Sequence, residues 1–342
     1  MMQSKISKFC MISSIAAIFL LAAPFAHVSA STGGTYGPPV VPGPDPPLNP
    51  TALYAVSGSY NYTAAGTALR NTGSGVITVS YTGTVVAAYL IWGIINPSNA
   101  GLDAANINGN PITGTLQSTD ASPCWGNGNL SVFAAVVTSY VVNGANTVSG
   151  FASGITTGQD PWSAATAPLD DGASLVVVTT GTSPQQVYIY TGSYTEPSAG
   201  NPLTSVFNHG AAIATTAQTT FIVADGQLAN NYAQYNGVTI NSNAFPGSDP
   251  KTSAATWSYG NLWDTKTYSV PEALSATTDS AGVGSNSGDC LTWAGQVIMI
   301  PSTAPIITGV PQFGAPPVMI AAIGIALVAF FYKRKSGLQI TR

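Results

Sequence analysis

Residues 172–192 read GASLVVVTTGTSPQQVYIYTG. Two apolar runs, 173–180 and 186–191, flank a Gly-Thr-Ser-Pro segment. Both are rich in β-branched or aromatic residues and too short for a helix, so both are expected as strands. The same texture recurs at 75–81, 85–95, 131–142, 219–224 and 291–300. Several of these runs are apolar at every position, as in strands covered on both faces. Residues 131–142 also fit a helical turn. Asn108-Gly109 and Asn236-Gly237 are the dipeptides of type I′ hairpins, whose two central residues take positive φ. Many short strands with glycine-rich turns predict an all-β fold, an antiparallel sandwich or barrel. No internal repeat of fixed period is visible.

Composition supports this reading. The 342 residues include 36 glycines and 24 prolines, which disfavours long helices. Only 6% of residues are charged, against about 25% in ordinary soluble proteins. At 45% apolar the chain can bury a sizeable core, which argues against a charged disordered segment.

Both ends read as membrane signals. Residues 1–30 combine Lys5 and Lys8, an apolar stretch and Val28-Ser29-Ala30, the pattern of a cleaved signal peptide. An uncleaved N-terminal anchor is the alternative. A proline-rich leader follows at 31–52, then a β-sandwich ectodomain at 53–302 and a stalk at 303–317. Residues 318–332 are uncharged and form the expected transmembrane helix, with 313–317 completing a span of about twenty residues. Lys333, Arg334 and Lys335 stop the span and start a cytoplasmic tail, 333–342, leaving everything before it outside the cell. Pro311-Gln312-Phe313-Gly314, the apolar span and the basic cluster stand in the order of archaeal Pro-x-Phe-Gly sorting signals, which they resemble. That resemblance implies processing by an archaeosortase-like transpeptidase; a permanent anchor explains the same residues.

Outside the signal and tail there are three basic residues, Arg70, Lys251 and Lys266, and thirteen acidic ones, a net charge of −10. Such a surface repels phosphate backbones, so no nucleic-acid partner is expected. Cys10 leaves with the signal, and an even pair remains, Cys124 and Cys290. In an exported chain this reads as one disulfide, with two buried free thiols as the alternative.

Residues that could carry chemistry are few. His209 is the single histidine of the exported part and stands in a His-Gly pair, which reads as polar surface. There is no Gly-x-Ser-x-Gly elbow and no phosphate-binding loop. No enzyme, no cofactor and no transition-metal centre are expected. Asp170-Asp171-Gly172 and Asp225-Gly226-Gln227 are acidic turns that could lend oxygens to Ca²⁺, without EF-hand spacing. Trp125, Trp162, Trp257 and Trp263 are expected in polar loops and are the candidate ligand platform, whereas Trp92 and Trp293 read as core. Asn61 and Asn129 begin intact glycosylation sequons.

Several segments together resemble an uncharacterised family of secreted, partly adhesin-like surface proteins of archaea and bacteria. They are Ala87-Ala88-Tyr89-Leu90-Ile91-Trp92, Ile107-Asn108-Gly109, Phe133-Ala134-Ala135, residues 172–178, Ile189-Tyr190-Thr191-Gly192, Trp263-Asp264 and Asp289-Cys290-Leu291-Thr292-Trp293. The resemblance covers about residues 53–301. It implies a jelly-roll-like β-sandwich on the cell surface, with Cys124 and Cys290 as its staple, and no known reaction. The expected function is therefore a membrane-anchored extracellular protein with a structural or adhesive role. The alternatives are a carbohydrate- or ligand-binding surface module and a surface glycoside hydrolase using paired carboxylates.

Overall fold

The computed structural model describes residues 47–122, 124–196, 202–228 and 230–305. The signal, most of the leader, the sorting-like motif, the 318–332 span and the basic tail lie outside the described residues. Among the described residues no helix is long and apolar enough to cross a membrane.

The described residues are all-β and antiparallel. In chain order the strands are β1 (Tyr54–Ala68), β2 (Ser74–Val79), β3 (Val85–Asn96), β4 (Ala104–Ile107), β5 (Asn110–Thr113), β6 (Thr115–Ala121), β7 (Asn129–Val136) and β8 (Gly144–Ser149). Then come β9 (Leu169–Thr195), β10 (Leu203–Asn208), β11 (Thr216–Gly226), β12 (Asn231–Tyr235), β13 (Val238–Asn241), β14 (Leu262–Pro271), β15 (Thr278–Ser285) and β16 (Thr292–Pro301). The runs 173–180 and 186–191 are not two strands but one, β9, 27 residues long. Residues 131–142 divide: they extend as β7 to Val136, and then the Val137 carbonyl accepts the amides of Tyr140 and Val141 in a tight turn.

β9 organises the molecule. Its first arm, residues 172–180, lies between β1 and β3; its second, 185–189, between β1 and β16. One large sheet runs β14-β11-β16-β9-β3-β7-β6, with β1 also paired to β9. Two smaller sheets, β2-β8-β4-β5 and β10-β15-β12-β13, cover it. Alternation along the strands explains the layers. In β3, Ala88, Leu90 and Trp92 face the β2-β8-β4-β5 sheet. Tyr89 and Ile91 face a central core shared with Ile222 of β11 and Val297 of β16. A third core lies between the other side of β11 and β16 and the β10-β15-β12-β13 sheet. Strands buried on both faces are why the sequence shows unbroken apolar runs.

The two halves follow one plan that no sequence period announces. The first pairs β1-β9-β3-β7 with β2-β8-β4-β5; the second pairs β9-β16-β11-β14 with β10-β15-β12-β13. β9 closes the first set and opens the second. The correspondence reaches single residues. Asn108 and Asn236 both take positive φ before a positive-φ glycine, as type I′ turns require. The Asn108 amide donates to the Thr147 carbonyl, and the Thr147 amide to Asn108 Oδ1. Asn236 and Ser280 repeat both bonds.

The end of the proline-rich stretch joins the fold. Leu48 bridges to Gly192 and is buried with Phe207 and Tyr190.

Candidate functional site

Among the buried ionisable side chains, which also include Glu196, Asp249 and Asp264, two groups stand out. The first is where the two acidic segments meet. Asp170 and Asp171 open β9, and Asp225 ends β11 at a bulge, with φ of 59°. They do not lie in turns, as the sequence suggested, but in strands, and all three are fully buried. Their cation is Arg70, also fully buried, which follows β1. Arg70 donates from Nε to Asp171 Oδ1 at 2.8 Å, and its Nη2 also reaches Asp171 and, at 3.4 Å, Asp225. The guanidinium lies over the Trp125 ring, 4.2 Å from its centroid, and Trp125 Nε1 donates to Asp225 at 2.6 Å. Burial pushes Asp171 up to about 6, with Arg70 opposing the rise. Asp170 and Asp225 are pushed up as well, first by burial and then by the charge of Asp171. One arginine among three acids in a water-excluded site fixes the β1 and β9 ends against β11.

The disulfide lies beside this cluster. Cys124 precedes Trp125, and Cys290 pairs with it at a Cα separation of 6.1 Å. Asp289, next to Cys290, accepts from Asn231, Gln227 and the Cys290 amide. The bond joins a residue after β6 in the first half to one before β16 in the second.

The second group is His209, Glu272 and Asp279. The reading of His209 as polar surface is overturned, because its side chain is 1% exposed. His209 follows β10, Glu272 follows β14, and Asp279 lies in β15. Amide bonds from His209 to the Thr277 carbonyl and from Glu272 to the Thr215 carbonyl hold the two loops at this end. One donor atom from each side chain lies within 4.8 Å of the others. Asp279 accepts from Tyr235 Oη and, at 2.8 Å, from Asn236 Nδ2. Burial, and then the neighbouring Asp279 carboxyl, push Glu272 up to about 7. Asp279 falls to about 2, because the facing His209 imidazole and the bonds from Tyr235 and Asn236 outweigh its burial. A carboxylate oxygen of Glu272 and one of Asp279 lie within 4.8 Å of each other, inside the ~5 Å carboxyl spacing of retaining glycosidases.

The tryptophans do not gather into a platform. Trp263 lies in β14 with its Nε1 donating to Ser174, and Trp125 and Trp257 are buried as well. Their apolar area drives them inward, and each indole N–H finds a partner there. Trp162 alone of the four is partly open, packed between a tilted Trp125 at 4.9 Å and an edge-on Tyr259 at 5.0 Å. Asn61 in β1 and Asn129 in β7 are exposed. Asn61 lines a recess of about 130 Å³ at the bend of β9, with Tyr60, Ser183 and Met299.

The acidic segments were visible in the sequence, but their meeting at Arg70 was not. The His209 group was missed because its members are far apart in the chain and follow no motif. No known protein family and no curated protein matches this chain.

Proposed function

We propose that this chain is a cell-surface protein with a structural or adhesive role, held at the membrane by residues 318–332 with its sandwich outside. The observation that carries the reading is the Cys124–Cys290 disulfide, since such bonds persist in oxidising compartments outside the cytosol. It agrees with the signal-like residues 1–30 and with the basic cluster 333–335. The strand orders support a finer reading. The orders β1-β9-β3-β7 with β2-β8-β4-β5, and β9-β16-β11-β14 with β10-β15-β12-β13, support reading each half as a jelly roll and the ectodomain as a tandem of two. Such a body suits display at a surface because β9 couples the halves without a flexible linker. Truncation after residue 310 tests the anchor. Release of folded protein into the medium is expected. Retention in the membrane fraction after a high-salt wash would place the anchor elsewhere, and full-length protein in the cytoplasm would end the proposal.

A second reading, glycan binding, is favoured by one observation. Tyr259 is 51% exposed and packs edge-on against Trp162, a surface on which a sugar ring could stack. A glycan array with wild type, Trp162→Ala and Tyr259→Ala separates it from a purely structural role.

A further inference from the structure

The two halves provide an internal comparison at the His209 group. In the first half Val76 pairs with Thr147 and Ile77 with Asn146; in the second Val206 pairs with Ser280 and Phe207 with Asp279. Continuing this register places His209 where the first half has Val79, and Asp279 where it has Asn146. The amide of Val137 donates to the Ala88 carbonyl just beyond the Tyr89–Val136 pair. The amide of Glu272 donates to the Thr215 carbonyl just beyond the Thr216–Pro271 pair. Glu272 therefore stands where the first half has Val137. Val79 and Val137 are apolar core, and Asn146 is satisfied by the backbone of Val142 and Gly144. The fold needs only two valines and an asparagine at these points. The second half has a histidine and two acids instead.

We propose that His209, Glu272 and Asp279 form a binding site for a divalent cation of the zinc class. Two further observations point to a ligand. His209 Nδ1 faces the Gly210 carbonyl at 2.8 Å, and a carbonyl only accepts, so Nδ1 carries the proton. The lone pair of a neutral imidazole then sits on Nε2, 3.1 Å from Asp279 Oδ2 and without an aligned hydrogen bond. With Nδ1 already protonated, either a second proton on Nε2 or a cation must lie between it and the Asp279 carboxylate. A ligating histidine is typically oriented in this way, by its other nitrogen on a carbonyl. Glu272 Oε2 is the second observation: the residue is 6% exposed and this oxygen has no hydrogen-bond partner.

The His209–Asp279 distance suits such an ion, and the Glu272 oxygen lies within 4.8 Å of both donor atoms. Bonds of about 2.0–2.2 Å set neighbouring donors roughly 3 to 3.5 Å apart, and Nε2 and Oδ2 already stand at 3.1 Å. One imidazole with two carboxylates favours Zn²⁺ or Mn²⁺ over Ca²⁺, which takes oxygen ligands. Tyr235 Oη donates to the same Oδ2 that faces His209, and Asn236 Nδ2 to Oδ1, so both orient the Asp279 carboxylate. Pro271 and Ala273, on either side of Glu272, are exposed, so the path to solvent is short. A bound ion would tie β10 and β15 of the covering sheet to the end of β14 in the large sheet.

The test uses full-length protein, stripped with a chelator and titrated with Zn²⁺, and separately with Ca²⁺, by calorimetry and metal analysis. One equivalent of Zn²⁺ and a raised melting temperature are expected. Asp279→Asn and the triple variant His209→Val, Glu272→Val, Asp279→Asn import residues that the first half already accommodates. Both should stay folded by circular dichroism and bind Zn²⁺ at least ~100-fold more weakly. Glu272→Gln provides a conservative check, with weakened binding expected in an unaltered fold. Folded wild type that binds no Zn²⁺, or Ca²⁺ only, overturns the proposal and leaves an imidazolium–carboxylate pair. Unchanged Zn²⁺ binding in the folded triple variant overturns it equally.

Discussion

Trp263 of β14 rests its indole on Gly172 of β9. Gly172 is the cross-strand partner of Gly93 in β3, so two facing glycines make a floor for one tryptophan. A Cβ at position 172 would fall inside the contact shell of Trp263 Cγ, and one at 93 would lie 3.1 Å from its Cζ3. The second half thereby docks on the first where the first has no side chains.

Gly172→Ala should therefore destabilise the protein by about 1–3 kcal/mol through overpacking. Trp263→Ala should cost about 3–5 kcal/mol by leaving a cavity. Thermal melts of both variants check the pair. A neutral Gly172→Ala would show that the two halves do not meet at this point.

Arg70 is the counter-charge for carboxylates that have no water. Arg70→Ala should cost about 3–5 kcal/mol, since it leaves buried Asp171 and Asp225 without their cation. Asp171→Asn should cost less, because the amide oxygen can still accept from Nε. Denaturant titrations of the two variants give the comparison.

Stability should rise as the medium becomes acidic. Burial is the main cause that raises Glu196 and Asp249 to about 7, and Asp171, Asp264 and Asp289 to about 6, with Arg70 opposing the rise at Asp171 and Lys266 at Asp264. A carboxyl near 4 when unfolded and higher when folded binds more protons in the folded state. Its contribution is full below about pH 4 and is lost as pH rises through 6 to 7. Asp279, lowered to about 2, works in the opposite sense only below about pH 4. The melting temperature at pH 4.5 should exceed that at pH 7.5 by ~4 °C or more, about 2 kcal/mol for a chain of this size. Calorimetry across this range would refute the expectation if the melting temperature were flat or fell toward acid.

Removing the staple by Cys124→Ser with Cys290→Ser should cost about 2–5 kcal/mol. Mass mapping without reductant should find the two cysteines joined in native material. The same digest reports on the sequons: Asn61 and Asn129 are exposed and are expected to carry glycan.

The sequence by itself determined the local texture of this protein. Unbroken β-branched and aromatic runs required strands covered on both faces, and their count with glycine-rich turns required an all-β body. Asn108-Gly109 and Asn236-Gly237 specified their turns, because positive φ at two successive residues is a local demand. Tertiary structure decided partnership. A period-two pattern says which face of a strand is buried but not which strand lies beside it. For that reason 173–180 and 186–191 gave no sign of being one strand shared by two halves. Nor did any period disclose the common plan of those halves, since pairing registers can match while side chains diverge, as Val79 and His209 do. The same reason hid the two polar groups. Arg70 with Asp171 and Asp225, and His209 with Glu272 and Asp279, are distant along the chain. Only the packing of sheet on sheet, which removes water from both places at once, makes neighbours of them.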